Sequence, residues 1–102
     1  MIYKVVLQTD GPVAGYETVV VEIEVEPGVV APRHTHPGVE STYVIAGHAE
    51  LRIDGQSART LRAGDIFQIP AGTVHSMKIG DEIAKACSVL VVEKGRALVS
   101  PA

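Results

Sequence analysis

Two histidines and a carboxylate lie within seven positions of the chain, a density of metal-binding side chains that could do chemistry. His34 and His36 are two positions apart, so on an extended strand both imidazoles project from the same face. Glu40 has the same parity, but Pro37 and Gly38 interrupt the strand, so the direction of its side chain depends on the turn there. We read this segment as the first half of a metal site.

His75 supplies a third imidazole, soon after the turn-forming residues Pro70-Ala71-Gly72. A fold that places His75 opposite the first pair would complete a set of three nitrogens and one carboxylate oxygen. Such a set suits Mn, Fe, Co, Ni, Cu or Zn and leaves coordination positions open for water, dioxygen or a substrate oxygen. Ordinary polar side chains or a structural zinc site remain alternatives. The fourth histidine, His48, has no partner at ligand spacing and is predicted at the surface.

The elements that must position these residues are predicted to be short β-strands. The chain has 102 residues, 46% of them apolar, with few aromatic side chains and no Trp, so its core must be built from Val, Ile, Leu and Ala. Turn signals recur about every eight to twelve residues, which is typical of an all-β sandwich or barrel. We expect one domain over residues 1–102. The predicted strands cover residues 3–9, 18–26, 41–46, 49–53, 56–61, 66–69, 74–79 and 84–93.

Two turns are predicted in detail from their residue types. Asp54-Gly55 favours a tight two-residue hairpin, in which both central residues have positive φ. Ile69-Pro70-Ala71-Gly72 fits a type I turn with Pro at the second position and Gly at the fourth.

Charge and composition exclude several classes of protein. The net charge is −3 and the basic residues are scattered, so no nucleic-acid partner is expected. The single cysteine, Cys87, excludes an internal disulfide framework. No apolar run approaches the eighteen or so residues of a membrane span, so no membrane partner is expected either. As given, the chain is expected to be soluble and cytoplasmic, or periplasmic if a leader was removed.

Nine fixed positions at set spacings resemble the two sequence motifs of the cupin superfamily. They are Gly28, His34, His36, Glu40 and Gly47, followed by Gly64, Pro70, Gly72 and His75. The resemblance implies a small antiparallel jelly-roll (cupin) barrel of six to ten strands. It also implies that His34, His36, Glu40 and His75 bind a divalent transition metal. One position departs from the pattern, because Ile79 stands where the second motif usually ends in Asn.

Strand parity predicts what surrounds the metal. If Glu40 and His75 point inward, the predicted pocket residues are Thr42, Val44, Phe67, Met77 and Ile79. Arg33 alternates away from His34, so the wall is mostly apolar and suits a small neutral or enolisable ligand. Tyr43 and Ile45 point outward, which predicts coverage by a second subunit in a homodimer, the common state of small cupins.

Two functional hypotheses follow. The first is a metal-dependent enzyme of dioxygenase, lyase or isomerase type that acts on a small, largely apolar molecule. The second is a noncatalytic binding or sensor protein that uses the same metal pocket. The sequence leaves the choice between them open, as it does the identity of the metal.

Overall fold

The computed structural model describes residues 1–102 as a jelly roll of ten β-strands. The strands are β1 Ile2–Asp10, β2 Tyr16–Val25, β3 Val30–Thr35, β4 Gly38–Ala46, β5 His48–Ile53, β6 Arg59–Arg62, β7 Ile66–Ile69, β8 His75–Ile79, β9 Ala84–Glu93 and β10 Ser100–Pro101. The structure contains no helix that could span a membrane. The predicted all-β class and jelly-roll architecture are confirmed. The division into one domain over residues 1–102 stays a prediction.

The strands form two five-stranded antiparallel sheets. Sheet A has the order β1-β2-β9-β4-β7, and sheet B has the order β10-β3-β8-β5-β6. Strands distant in sequence are therefore neighbours: β4 pairs with β9, and β3 pairs with β8. This topology carries the residues after Pro70 back to the histidine segment.

Side-chain alternation places the apolar core between the sheets. On β4, Thr42 and Val44 are buried whereas Tyr43 is exposed, as the parity of the strand predicts. We call the largest buried cluster the apolar core; it consists of Val44, Leu51, Leu61, Phe67 and Ile69. Its members come from both sheets, so burial of these side chains holds the two layers together.

A β-turn forms at Asp54-Gly55, but the two-residue hairpin predicted there does not. The Gln56 amide donates a hydrogen bond to the Ile53 carbonyl oxygen at 3.0 Å, so Asp54 and Gly55 are the central residues of this turn. The last residue pair that joins β5 to β6 is Leu51 with Arg59, and residues 54–58 connect the two strands. Gly55 has a φ of 82°, but Asp54 has no positive φ, and the predicted hairpin turn needs positive φ at both residues. Ile53 instead pairs with His75 on β8, which extends β5 toward the histidines.

The turn at Pro70 lies one residue later than predicted. The Thr73 amide donates a hydrogen bond to the Pro70 carbonyl oxygen, at 3.2 Å. Gly72 therefore occupies the third position of the turn, where its φ of 68° requires a glycine. The turn ends two residues before His75, at the start of β8.

Candidate metal centre

The fold brings the three motif histidines together. His34 lies near the end of β3 and is the direct cross-strand partner of His75, the first residue of β8. His36 follows in the connection to β4. The ring centroids are 4.1 Å apart for His34 and His75, 5.0 Å for His34 and His36, and 5.1 Å for His36 and His75. One ligating nitrogen from each ring lies within 4.8 Å of the others.

Glu40 on β4 brings a carboxylate to the same point. Its Oε1 is 3.1 Å from His36 Nε2 and 3.3 Å from His75 Nε2. Two ligands that each lie about 2.1 Å from one ion are roughly 3.0 to 3.4 Å apart, depending on the coordination angle. The spacing of these atoms therefore matches neighbouring positions in a metal coordination shell.

All three rings are oriented by backbone carbonyl groups. The Nδ1 atoms of His34, His36 and His75 lie 2.6, 2.8 and 2.9 Å from the carbonyl oxygens of Pro32, Leu98 and Thr73. A carbonyl can only accept a hydrogen bond, so each Nδ1 is a donor. Each Nε2 is then left with its lone pair toward the centre when the ring is neutral, which is the arrangement that metal-binding histidines need.

A chain of hydroxyl groups orients the carboxylate. Thr42 Oγ1 donates to Glu40 Oε2 at 2.6 Å, and Ser88 Oγ lies 2.6 Å from Thr42 Oγ1. Because the Thr42 proton is used on Glu40, Ser88 must be the donor to Thr42. These two buried hydroxyls fix Oε2 and leave Oε1 facing the histidines.

The pKa values in the site depend on burial and on the contact between His36 and Glu40. Burial would raise the pKa of the Glu40 carboxyl, but contacts from His36, His75 and Thr42 outweigh burial and hold this pKa well below its usual range. Burial likewise opposes charge on His36, yet the neighbouring Glu40 carboxylate raises the pKa of the His36 ring. Burial lowers the pKa of His34. Glu40 is therefore an anion at neutral pH, ready to bind a cation.

One buried atom in the site lacks a partner that a metal ion would supply. His75 is 3% exposed, and its Nε2 has no hydrogen-bond partner. The approach of this atom to Glu40 at 3.3 Å does not form a hydrogen bond. A buried nitrogen without a partner costs about 1–3 kcal/mol, which a bound cation would offset. Three nitrogens and one oxygen fit a divalent first-row metal, and the assignment of these four residues as its ligands stays a prediction.

The site opens into an apolar cavity of about 510 Å³ between the sheets. Met77 and Ile79 line it, as the parity of β8 predicts, together with apolar residues of β2 and the carboxyl-terminal residues Val99 and Pro101. Because Ile79 takes part in this apolar wall, the position that usually carries the motif Asn contributes no amide to the pocket.

The assignment of Thr42, Val44, Phe67, Met77 and Ile79 to the ligand pocket stays a prediction. All five line a smaller cavity of about 80 Å³ beside Glu40, whereas only Met77 and Ile79 also line the larger one. Val44 and Phe67 belong to the apolar core, and Thr42 is bonded to Glu40. Parity gives the direction of a side chain but not its depth, which explains why inward-facing residues divide between packing and cavity wall.

Three features of the cavity were not predictable from the sequence. Tyr3 lines the cavity, although it is partly exposed to solvent like the rest of β1. Arg33 borders the cavity because a register shift between Ala31 and His34 breaks the alternation of β3. The Leu98 carbonyl that binds His36 is a backbone atom 62 positions away. Each feature depends on long-range pairing, and no local signal could have found it.

His48, which has no partner at ligand spacing in the sequence, acquires two partners in the fold and is only partly exposed. Its ring is partly buried against Gly80, with Nε2 3.1 Å from an Asp81 carboxylate oxygen and Nδ1 3.8 Å from one of Glu82. Both carboxylates are largely exposed to solvent. The turn after β8 brings them to His48 through the pairing of β5 with β8, which sequence spacing does not reveal.

Comparison with known proteins finds a family model that matches this chain and solved structures that share its fold. A family model described as "Cupin domain" matches residues 21–99. A conserved protein with a double-stranded β-helix domain from Klebsiella pneumoniae has a solved structure with a TM-score of 0.76 and 32% identity. The match covers 97% of this chain and 84% of that one.

Two curated proteins are similar to parts of the chain. Dimethylsulfoniopropionate lyase DddQ of Ruegeria pomeroyi is 31% identical over 71 residues, which is 70% of this chain and 35% of the lyase. Germin-like protein subfamily 2 member 4 of Arabidopsis thaliana is 33% identical over 86 residues, which is 76% of this chain and 39% of the germin-like protein. The chain thus spans between a third and two fifths of the length of these relatives.

Proposed function

This chain belongs to the cupin family, and on that premise we propose that it is a metal-dependent enzyme of lyase, isomerase or dioxygenase type. The substrate is a small, largely apolar molecule. The observation that carries the proposal is the buried Nε2 of His75, which has no hydrogen-bond partner and faces an ionised carboxylate among converging imidazoles. A divalent cation satisfies both groups at once.

The proposed ligands are His34, His36, Glu40 and His75. Three neutral imidazoles and one carboxylate leave a divalent ion with a net positive charge and with open coordination positions. When bound, Mn, Fe, Co, Ni, Cu or Zn supplies a Lewis acid that polarises an oxygen of the substrate.

The cavity favours an uncharged substrate. Its walls are formed mainly by apolar side chains, and Arg33 at its border is held by the Asp54 carboxylate through two hydrogen bonds of 2.8 and 3.1 Å. An anionic substrate would have to compete with Asp54 for this guanidinium. A neutral or enolisable molecule with one oxygen function directed at the metal fits the site without that cost.

Tyr3 offers a polar group on the apolar wall. Burial and the negative charge of Glu40 raise the pKa of the Tyr3 hydroxyl, so it remains protonated at neutral pH. A protonated hydroxyl donates a hydrogen bond. We assign Tyr3 the role of binding a substrate oxygen, which helps to orient the substrate toward the metal-binding side of the cavity.

One of the named relatives, the lyase, supports the enzyme proposal without identifying a substrate for this chain. The lyase of Ruegeria pomeroyi makes an elimination a reasonable first reaction to test. The chain covers only about a third of that protein, and dimethylsulfoniopropionate carries a carboxylate that would compete with Asp54 for Arg33. This molecule therefore enters the screen as a charged comparison for the uncharged substrates.

A turnover screen of protein reconstituted with each metal tests the proposal. The substrates are dimethylsulfoniopropionate, diketones, flavonols, thiols and cyanohydrins, and dissolved oxygen is followed to detect dioxygenase chemistry. We expect turnover that depends on added metal and is absent from His75→Ala. Binding of these molecules without turnover by any metal form would contradict the enzyme proposal and favour a sensor or binding protein.

We further propose that the outer face of sheet A binds a second copy of the chain to form a homodimer. The exposed side chains on this face include Tyr43, Ile45, Ile66 and Val89. Tyr43 lies directly opposite Ile66 on the neighbouring strand, so the apolar surface crosses strands. A solvated face of an antiparallel sheet is normally polar, whereas this one is self-complementary in its apolar character.

Light scattering coupled to size-exclusion chromatography tests the dimer. We expect twice the chain mass for the wild type and a single chain mass for Tyr43→Lys. Ile83→Lys, which alters an exposed apolar residue in the turn between β8 and β9, serves as the control and should remain dimeric. A monomeric wild type at micromolar concentration would contradict the proposal.

A further inference from the structure

One of the three hydrogen bonds between a histidine ring and a carbonyl joins residues that are far apart in the sequence. His34 and His75 each bond to a carbonyl two residues before them, which lies within β3 for His34 and in the turn before β8 for His75. His36 bonds instead to Leu98, near the carboxyl-terminal end of the chain, at 2.8 Å. The orientation of this ring therefore depends on whether residues 98–102, which we call the strap, are seated.

The strap is fixed at both ends. The Leu98 side chain packs against the buried cluster of Val19, Val21, Leu90 and Val92. Beyond Leu98, β10 pairs with β3, with Ser100 opposite Thr35 and Pro101 opposite His34, and the Ala102 amide donates to the Arg33 carbonyl at 3.1 Å. An apolar anchor and a short strand ladder thus hold the Leu98 carbonyl in place.

We propose that Leu98 is a positioning residue for the metal ligand His36, and that metal binding and seating of the strap stabilise each other. This inference rests on the proposed metal site. The Leu98 carbonyl oxygen accepts a hydrogen bond from the Nδ1–H group of His36, so it holds the ring with Nε2 free to bind an ion. Without the carbonyl, the His36 ring can rotate and can carry its proton on either nitrogen.

The same segment forms part of the cavity wall. Val99 and Pro101 line the cavity together with the histidines, and both residues are also exposed to solvent. Because coupling between two equilibria is reciprocal, a metal that binds better when the strap is seated must also stabilise the seated strap by the same factor. Metal loading and seating of the strap are then linked equilibria.

Zn²⁺ affinity, measured by competition with a chelator, provides the first test. Loss of an outer-shell partner typically weakens metal binding about 10- to 100-fold, and we expect this loss in a variant that lacks residues 98–102. Leu98→Ala, which keeps the carbonyl but removes the anchor, should show a smaller loss, and Leu98→Met should restore affinity. Leu7→Ala, at an exposed leucine of β1, is the matched control and should bind like the wild type.

Two further measurements distinguish a loss of His36 ring positioning from a general destabilisation of the fold. In ¹⁵N-labelled, Zn²⁺-loaded wild type, long-range ¹H–¹⁵N spectra should contain three ring N–H signals protected from exchange, and the truncated variant should retain two. Zn²⁺ should also slow removal of the carboxyl-terminal residues of the wild type by carboxypeptidase.

The outcomes distinguish the two proposals. If the wild type fails to bind Zn²⁺, the proposed metal site is wrong, and the role of the strap is wrong with it. If the wild type binds Zn²⁺ and the truncated variant binds it equally well with three protected ring signals, the metal site stands and only the role of Leu98 is overturned.

Discussion

The metal-binding region and the apolar core share a strand yet have opposite chemistry. On β4, Glu40 faces the histidines and Thr42 bonds to its far oxygen, whereas Val44, two positions further, belongs to the apolar core. Side chains in the core need no partners, and burial of each stabilises the fold by roughly 1.5–3 kcal/mol. In the metal-binding region each polar group needs a partner, and His75 Nε2 lacks one.

This contrast indicates that different residues of the same protein interior determine stability and metal binding. The core should determine the free energy of unfolding, and the four proposed ligands with their bonded partners should determine metal affinity. Mutations that separate the two properties test the division, and a mutation that changes both equally would break it.

Removal of a proposed ligand should have the largest effect. We expect His75→Ala to weaken Zn²⁺ binding by more than about 100-fold, beyond the range for outer-shell partners. Elemental analysis of protein purified without chelators should then find little metal in the variant. His48→Ala should change metal content little, and an unchanged content in His75→Ala would refute the assignment.

A core substitution should give the reverse pattern. Phe67→Ala removes a large buried side chain and should lower the free energy of unfolding by about 3–5 kcal/mol, measured by urea denaturation of metal-free protein. The folded fraction should bind Zn²⁺ in the same ratio as the wild type. A folded Phe67→Ala protein without metal affinity would show that the two regions are not separable.

Thr42 lies between the metal-binding region and the apolar core. Its substitution should therefore change both the metal affinity and the free energy of unfolding, each moderately. Thr42→Val keeps the shape but leaves Glu40 Oε2 and Ser88 without a partner, which should cost about 1–3 kcal/mol of stability. Zn²⁺ affinity should fall about tenfold, because Glu40 loses its support. Thr60→Val on β6, at an exposed position, should change neither quantity.

The pH dependence of stability should reveal the charge on Glu40. Because the folded-state pKa of Glu40 lies below its ordinary value of 4.5, the folded protein binds fewer protons than the unfolded chain as the pH falls below that value. The contribution of the Glu40 carboxylate to the free energy of unfolding is thus fully present above pH 4.5 and is lost as the pH falls below that value.

One proton corresponds to about 1.4 kcal/mol per pH unit, so Glu40→Gln should flatten the acid limb of metal-free stability by up to that slope. Equal slopes for the two proteins would show that Glu40 is not held in its charged form. The comparison is made on metal-free samples of both proteins, because bound metal would add its own proton release.

The sequence predicts much of this interior because alternation is a local property. The inward positions on β4 and β8 follow from parity once Glu40 and His75 are taken as inward. The contact of His34 with His75 follows only from the resemblance to the cupin motifs, since the pairing of β3 with β8 joins segments about forty residues apart. The motif therefore carried information that composition and periodicity do not contain.

The errors share a physical cause. Asp54-Gly55 has the residue types of a tight hairpin, but pairing of Ile53 with His75 on β8 determines where the turn begins. Tyr3 and Leu98 enter the cavity region through β1 and the strap, whose positions depend on the assembled sheets. Local propensity therefore gives way to strand pairing wherever a segment has a long-range partner.

X-ray absorption at the zinc edge of Zn²⁺-loaded wild type and of His75→Ala tests the central claim most directly. The account predicts nitrogen and oxygen neighbours at about 2.0 to 2.2 Å with scattering from three imidazoles in the wild type. The same spectrum for His75→Ala should contain fewer imidazole contributions or no ordered zinc. A wild-type spectrum without imidazole scattering, or one unchanged by the substitution, would contradict the claim that these histidines and Glu40 hold one ion.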